Sequence, residues 1–530
     1  MAISPTYPGV YIDEVPSAVH AIVGVPTAVA GFVGPAARGP ADTPVHCNSW
    51  ADYQRAFGGL DASSPLSWAV YMFFINGGGA AEVVRAGAMD GSLQPARIKL
   101  SDDITLTATS PGQWGNALSV KVDTDNLRDP RHQVNLAITD NGTGATERYT
   151  GLGLTPGPLS MSFALASSQL MNVDPSSGLT KLPAPGTYEP PAAEPPAAAA
   201  AGKAAAPDAA APAGAGTVGG ARGSDIGAGQ LAIPGDPGAK TGMYALVKAD
   251  IFNMLCLPTS WTATYPNDLL GTAASFCAQH RAMLIIDPPT SWSKVSGPLG
   301  FGTVTAPATE AVTGADIANA AIYYPNLQVR DPQSGALVQR GPCGTVAGVW
   351  ASTDASRGVW KAPAGMAAAL TGVAGLVSQI DDGESGVLNP LAVNCLRSFP
   401  LAGPVVWGAR TAAGADDNTS SWKYIPVRRT ALFIEESLYR GTRWVVFEPN
   451  AEPLWAAIRL NVGAFMNSLF QQGAFQGTTP AQAYLVQCDA DNNPQVDIDN
   501  GIVNILVGFA PLVPAEFVFI HIEQISQVQA

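Results

Sequence analysis

At 530 residues the chain is too long for one hydrophobic core, and at roughly 100–200 residues per domain it divides into three or four packed units. Charged residues are 13% of the total, about half the usual share, so much of the folded surface is expected to lie against other subunits. A net charge of −14 with no basic stripe excludes a nucleic-acid binder, because nothing is available to neutralise phosphates.

The first segment, YPGVYIDEVPS (7–17), is an extended strand bounded by Pro8 and Pro16, too short to form a sheet by itself. It carries no basic region followed by an apolar run, so no secretory leader is expected and the product is assigned to the cytoplasm. From 20 to 90 an α/β pattern follows: a buried strand at 28–34, an amphipathic helix at 64–77, a tight triple-glycine connection at 77–79 and a strand at 81–87. Between about 95 and 182 short alternating runs at 104–108, 117–123 and 134–140 predict a small β domain.

Residues 183–240 are dominated by Pro, Ala and Gly without apolar periodicity, and read as a disordered linker. A second α/β segment, 241–342, holds three buried strands at 250–258, 282–289 and 319–325, with a helix near 267–281; strands separated this way imply a parallel sheet. The last third contains a helix near 343–353 and an uncharged stretch, 362–380, rich in small residues and carrying Pro363, expected as a buried helix rather than a membrane span. The strongest pattern is a long helix, 451–472, with Asn450 as N-cap, Glu452 and Pro453 in its first turn and Gly473 at its stop. Leu454, Ile458, Val462, Phe465 and Leu469 share one face of it, predicted to lie on a sheet built from 443–449 and 483–489. At the finish, 515–525 alternates as a strand, with Val518, Ile520 and Ile522 on one face and Phe517, Phe519, His521 and Glu523 on the other.

Chemistry-bearing motifs are weak. Gly214, Gly216 and Gly219 match a dinucleotide fingerprint but sit in the linker, without the strand and helix that cradle a pyrophosphate. Asp489, Asp491 and Asn493 imitate a calcium loop, yet Pro494 and Asn500 stand where glycine and glutamate are needed. Cys277 and His280 lack further zinc ligands, and the six scattered cysteines read as small buried hydrophobes. No catalytic centre, metal or cofactor is expected.

The segments YPGVYIDEVPS (7–17), VAGFVGPAARGP (29–40), SWADYQRAFGG (49–59), NGGGAAEVVRAG (76–87), VAGVWASTDASRGVWKAPAG (346–365), VVWGARTAAG (405–414), RRTALFIEESLYRGTRWVVFEPNAEPLW (428–455) and APLVPAEFVFIHIEQ (510–524) resemble, in this order, the sheath proteins of contractile injection systems: phage contractile tails, R-type pyocin-like particles and extracellular injectors. The resemblance implies a mixed α/β chain. Its tube-facing sheath domain is built from 20–94 and 343–530, with the β domain (95–182), the linker (183–240) and the second α/β segment (241–342) inserted. It also implies a structural subunit, not an enzyme, that polymerises helically around an inner tube protein, meets baseplate and cap proteins, and contracts to drive the tube into a target envelope, without inserting itself into the membrane. Terminal arms of such subunits complete a neighbour's sheet. Carried onto this chain, the N-terminal arm (1–19) contributes Val10, Tyr11, Ile12, Asp13, Glu14 and Val15, and the C-terminal candidate is Phe517, Val518, Phe519, Ile520, His521 and Ile522. The second of these has two possible places, a neighbour's sheet or the subunit's own. Arg459 and Asn467, flanking the long helix, are the expected tube-facing positions. A hydrolase-like α/β enzyme and a surface-lattice protein are the competing classes; the first would act as a discrete oligomer and the second would form flat arrays.

Overall fold

A computed structural model describes residues 20–62, 64–87, 93–191, 220–221, 233–258, 269–288, 292 and 316–521. Its centre is an eight-stranded sheet of β1 (Val29–Gly34), β2 (Val45–Cys47), β3 (Ala80–Arg85), β4 (Met254–Cys256), β5 (Met283–Ile286), β6 (Ala320–Tyr324), β7 (Val393–Phe399) and β8 (Gly403–Val406). The order across it is β8-β7-β6-β5-β4-β1-β3-β2. The six inner strands run parallel, and β2 and β8 close the two edges antiparallel. Every residue of β1, β5 and β6 is buried, as a parallel sheet covered on both faces requires.

Successive side chains leave opposite faces. Ala30, Phe32, Met283, Ile285 and Tyr323 join one core with α1 (Pro65–Ile75) and α2 (Cys343–Arg357), whereas Val33, Leu284, Ile286 and Ile322 join a second with the helix Leu269–Gln279. Helices α1 and α2 touch backbone to backbone because Gly344 and Gly348 face α1: a Cβ on Gly344 would lie 2.2 Å from the Ala69 carbonyl oxygen, and one on Gly348 2.6 Å from that of Phe73.

One boundary read from the sequence does not survive. The segment 241–342 is not a separate domain, since β4, β5 and β6 pair directly between β1 and β7. Parallel strands need long crossovers anyway, so the chain can loop out the entire β domain between β3 and β4 and return to the same sheet. The β domain itself is a sandwich of two four-stranded sheets around Ile98, Leu106, Val120, Leu136, Ile138 and Met171. It also takes in the start of the expected linker: Gly186–Tyr188 pairs with Leu118–Asp123, and Tyr188 is buried in the sandwich core. The dinucleotide-like glycines Gly214, Gly216 and Gly219 lie outside the described residues.

The uncharged stretch 362–380 is not a helix. Gly365 and Gly372 adopt φ of +102° and +77°, and Val373–Leu376 instead forms a strand against Leu327–Arg330. No helix among the described residues is long and apolar enough to cross a membrane. All six cysteines are buried and free, and among the described residues no cluster of three or more metal-ligating side chains occurs.

Candidate assembly surfaces

The C-terminal part has its own core, built on α3 (Ile425–Gly441) and α4 (Glu452–Gln471). Leu454, Ile458, Val462, Phe465 and Leu469 are all buried on α4, packed with Ile434, Phe475 and Ala483. Ala451, not Asn450, is the N-cap of α4; Asn450 instead accepts from the Trp455 indole at 2.8 Å and donates to the Ile502 carbonyl at 2.9 Å. Gly473 follows the helix at φ +78°, the left-handed stop its sequence position implied.

The unit is fastened to the sheet domain by a buried ion pair. Arg429 on α3 donates to both Asp354 carboxylate oxygens, at 2.9 and 2.6 Å, and to the Thr27 carbonyl at 3.0 Å. Its guanidinium also lies 4.7 Å from the centre of the Trp350 ring. One side chain thus joins the segment before β1, α2 and α3.

A two-stranded ribbon, β9 (Tyr484–Gln487) against β10 (Leu506–Phe509), packs beside α4. The expected partner strand at 443–449 is absent: Arg443–Val445 is a 3₁₀ turn, and Phe447 sits at φ +73°, which no strand accommodates. Neither β9 nor β10 has a second strand partner among the described residues, and Leu485 and Leu506 are exposed. Open ribbon edges of this kind present unpaired main-chain donors and acceptors.

The chain leaves the body at a second ion pair, buried on its arginine side and partly buried on its carboxylate side, which the sequence reading missed. Arg410, 1% exposed, donates to Glu516 Oε1 at 2.7 Å and Oε2 at 2.9 Å. Asn389 and the Tyr424 hydroxyl also donate to that carboxylate, at 2.8 and 2.9 Å, and Asp416 accepts from Arg410 at 2.9 Å. Burial by itself would raise the Glu516 carboxyl, but the donations from Arg410, Asn389 and Tyr424 outweigh it and hold it below the usual carboxylate range. Burial and the same carboxylate push the Tyr424 hydroxyl up to about 12. The only sequence signal was a lone acid in an apolar run, Pro514-Ala515-Glu516-Phe517, read there as one position of a strand.

Beyond Glu516, Phe517, Val518, Phe519 and Ile520 are 66–81% exposed, and together with His521 they form no strand among the described residues. Ile522 and the N-terminal positions Val10 to Val15 lie outside the described residues. Arg459 is held by its own surroundings, donating to Glu452 at 2.5 Å and to the Cys488 carbonyl, while Asn467 is half-buried on the same helix. Asp489 accepts from the Asp491 backbone at 3.0 Å, closing a local turn at the calcium-like motif. The His280 ring packs on Phe276 and Phe252, and the Cys277 thiol is buried.

Two family descriptions match: the phage tail sheath protein central domain over 235–412 and the phage tail sheath C-terminal domain over 417–525, together just over half of the chain. A prophage major tail sheath protein of Pseudomonas aeruginosa is 26% identical over 194 residues, covering 36% of this chain and 48% of that protein. The tail sheath protein of Vibrio phage KVP40 is 26% identical over 157 residues, 29% of this chain and 22% of that protein. The chain therefore spans about half, or less, of the length of these curated relatives. Among solved structures, the contracted sheath of an extracellular contractile injection system, PVC, aligns over 99% of both chains with TM-score 0.56 at 22% identity. The contracted helical sheath of the anti-feeding prophage aligns over 98% of this chain and 100% of that one, with TM-score 0.56 at 23% identity. A sheath tail protein of Desulfitobacterium hafniense covers 95% of this chain and 100% of its own, with TM-score 0.57 at 13% identity. By the matched domains and the shared fold, this chain belongs to the phage tail sheath family of contractile systems.

Proposed function

We propose that the chain is the structural subunit of a contractile sheath, not an enzyme, assembled in the cytoplasm as part of a phage tail or tail-like particle. It polymerises helically around an inner tube, between baseplate and cap proteins, and contracts to drive the tube through a target envelope. The observation that carries this reading is the pairing of an open-edged ribbon, β9–β10, with an unpaired, exposed apolar run that starts at Phe517. A strand from a neighbour, Val10–Val15 on one edge and Phe517–Ile522 on the other, would satisfy the ribbon's free main-chain groups at about 0.5–1.5 kcal/mol net per hydrogen bond. Repeated head-to-tail contacts of this sort do not close on themselves, so they generate a helix. Arg459 and Asn467 on α4 are the proposed tube-facing positions.

Deletion of residues 1–17 tests the reading. Negative-stain microscopy is expected to show tubes for the full chain and only dispersed, folded subunits for the deletion. Normal tubes from the deleted chain would rule out the arm mechanism.

A further inference from the structure

The loop between α3 and α4 displays a side chain that the folded subunit does not use. Phe447 is fully exposed and Val446 is 63% exposed, and Phe447 holds φ at +73°, a conformation bulky L-residues rarely adopt. Backbone held in this region by a bulky residue whose ring is fully exposed is the mark of a group positioned for something else. Beyond the other end of α4, past Gly473, lies a cavity of about 650 Å³ walled by Trp360, Trp407, Tyr424, Val513 and Pro514. Arg357 and Lys361 also line it, as does Glu516, whose carboxylate is taken up by Arg410, while Glu448 follows the exposed phenylalanine. None of Arg357, Lys361 and Glu448 takes part in an ion pair among the described residues. Burial and the neighbouring Arg357 lower the Lys361 pKa, as expected for a cation lacking a counter-charge.

Phe447 precedes the 20-residue helix α4, which is about 30 Å long, and the cavity takes in Gly473 just past the far end of that helix. We propose that Phe447 of one copy inserts into the cavity between Trp360 and Trp407 of the next copy, with Glu448 facing Arg357 and Lys361. Such a contact uses two different patches of one chain, so it is heterologous and propagates as an open helix. It rests on the sheath reading, but it is a side-chain contact separate from any strand exchange.

Phe447→Gly separates a role in assembly from one in folding, because glycine occupies φ +73° freely. The variant is expected to melt at or above the wild-type temperature, yet to lose tubes in negative stain at least tenfold by count. Glu448→Arg should weaken assembly in the same direction, and Glu448→Arg with Arg357→Glu should recover it. In Val446→Cys/Val513→Cys tubes, a short bis-maleimide should yield a ladder of linked subunits that neither single variant gives; the native thiols are buried. Wild-type-like tubes from Phe447→Gly, or no ladder from the double-cysteine tubes, overturn the contact and leave the sheath reading standing. Failure of the wild type itself to polymerise overturns both.

Discussion

Arg410 and Glu516, 106 positions apart, meet as a two-pronged ion pair at 2.7 and 2.9 Å, at the point where the chain leaves the sheet domain. The pair fixes where the exposed run starting at Phe517 begins, since every residue from there to Ile520 is without cover. Glu516→Gln leaves the Arg410 guanidinium buried with only Asp416 as counter-charge, and a loss of about 3 kcal/mol is expected. Limited chymotrypsin digestion should then cut faster at Phe517 and Phe519, whose backbone would no longer be tethered. Unchanged digestion and melting would show the pair to be dispensable.

The same carboxylate sets a pH dependence. Its folded pKa is lowered, so its contribution is present above the unfolded carboxyl value of about 4.3 and is lost as pH falls through the folded value. Digestion of wild type at Phe517 should therefore accelerate only once the pH falls below the ordinary carboxyl range, whereas Glu516→Gln should show no such step. An acid-tolerant protease such as pepsin, run at constant protease activity, reads this directly.

Elements with a strong local period were legible in the sequence. Val134–Asp140 alternates buried and half-buried as read, and the apolar stripe of α4 faces its core. What was not legible was set by distant partners. Periodicity cannot say that β4 lies beside β1, across 220 residues of chain, nor that 443–449, although apolar, turns at Phe447 and never becomes a strand. The stretch 362–380 read as helix because its residues are small and uncharged; its glycines at positive φ and the docking edge of Leu327–Arg330 decided otherwise. At the candidate surfaces, the open ribbon was half visible as strand 483–489. The Arg410–Glu516 anchor left only a lone acid in an apolar run as its trace, because nothing local names a partner a hundred positions away.

Asp354 and Arg429, 4% and 3% exposed, form the joint between α2 and α3. Asp354→Asn keeps the shape but leaves the guanidinium against Trp350 without its counter-charge, a cost of about 3–5 kcal/mol. Arg429→Lys should lose most of the same energy, because an ammonium cannot span both carboxylate oxygens. Urea unfolding followed by tryptophan fluorescence is expected to show an early transition for the C-terminal unit in both variants. A single wild-type-like transition would mean that the apolar contacts alone hold the units together.

Asp287 lies at the end of β5, where its carboxylate accepts from the Cys343 backbone at 2.7 Å and from the Cys343 thiol at 3.2 Å, capping the start of α2. Burial outweighs both donors and raises its pKa to about 6. A raised acid favours folding fully below its unfolded value of about 3.9, and that advantage disappears as pH rises through about 6. The difference of about two pKa units corresponds to about 3 kcal/mol carried against folding at neutral pH. Asp287→Asn retains an oxygen for the Cys343 amide and removes the charge. Its stability should exceed that of wild type at pH 7.5 and show no Asp287-linked fall between pH 4 and 6, where wild type declines. Urea titrations at half-unit pH steps measure this, and parallel curves for the two proteins would place the charge of Asp287 in a better-compensated setting than its two donors supply.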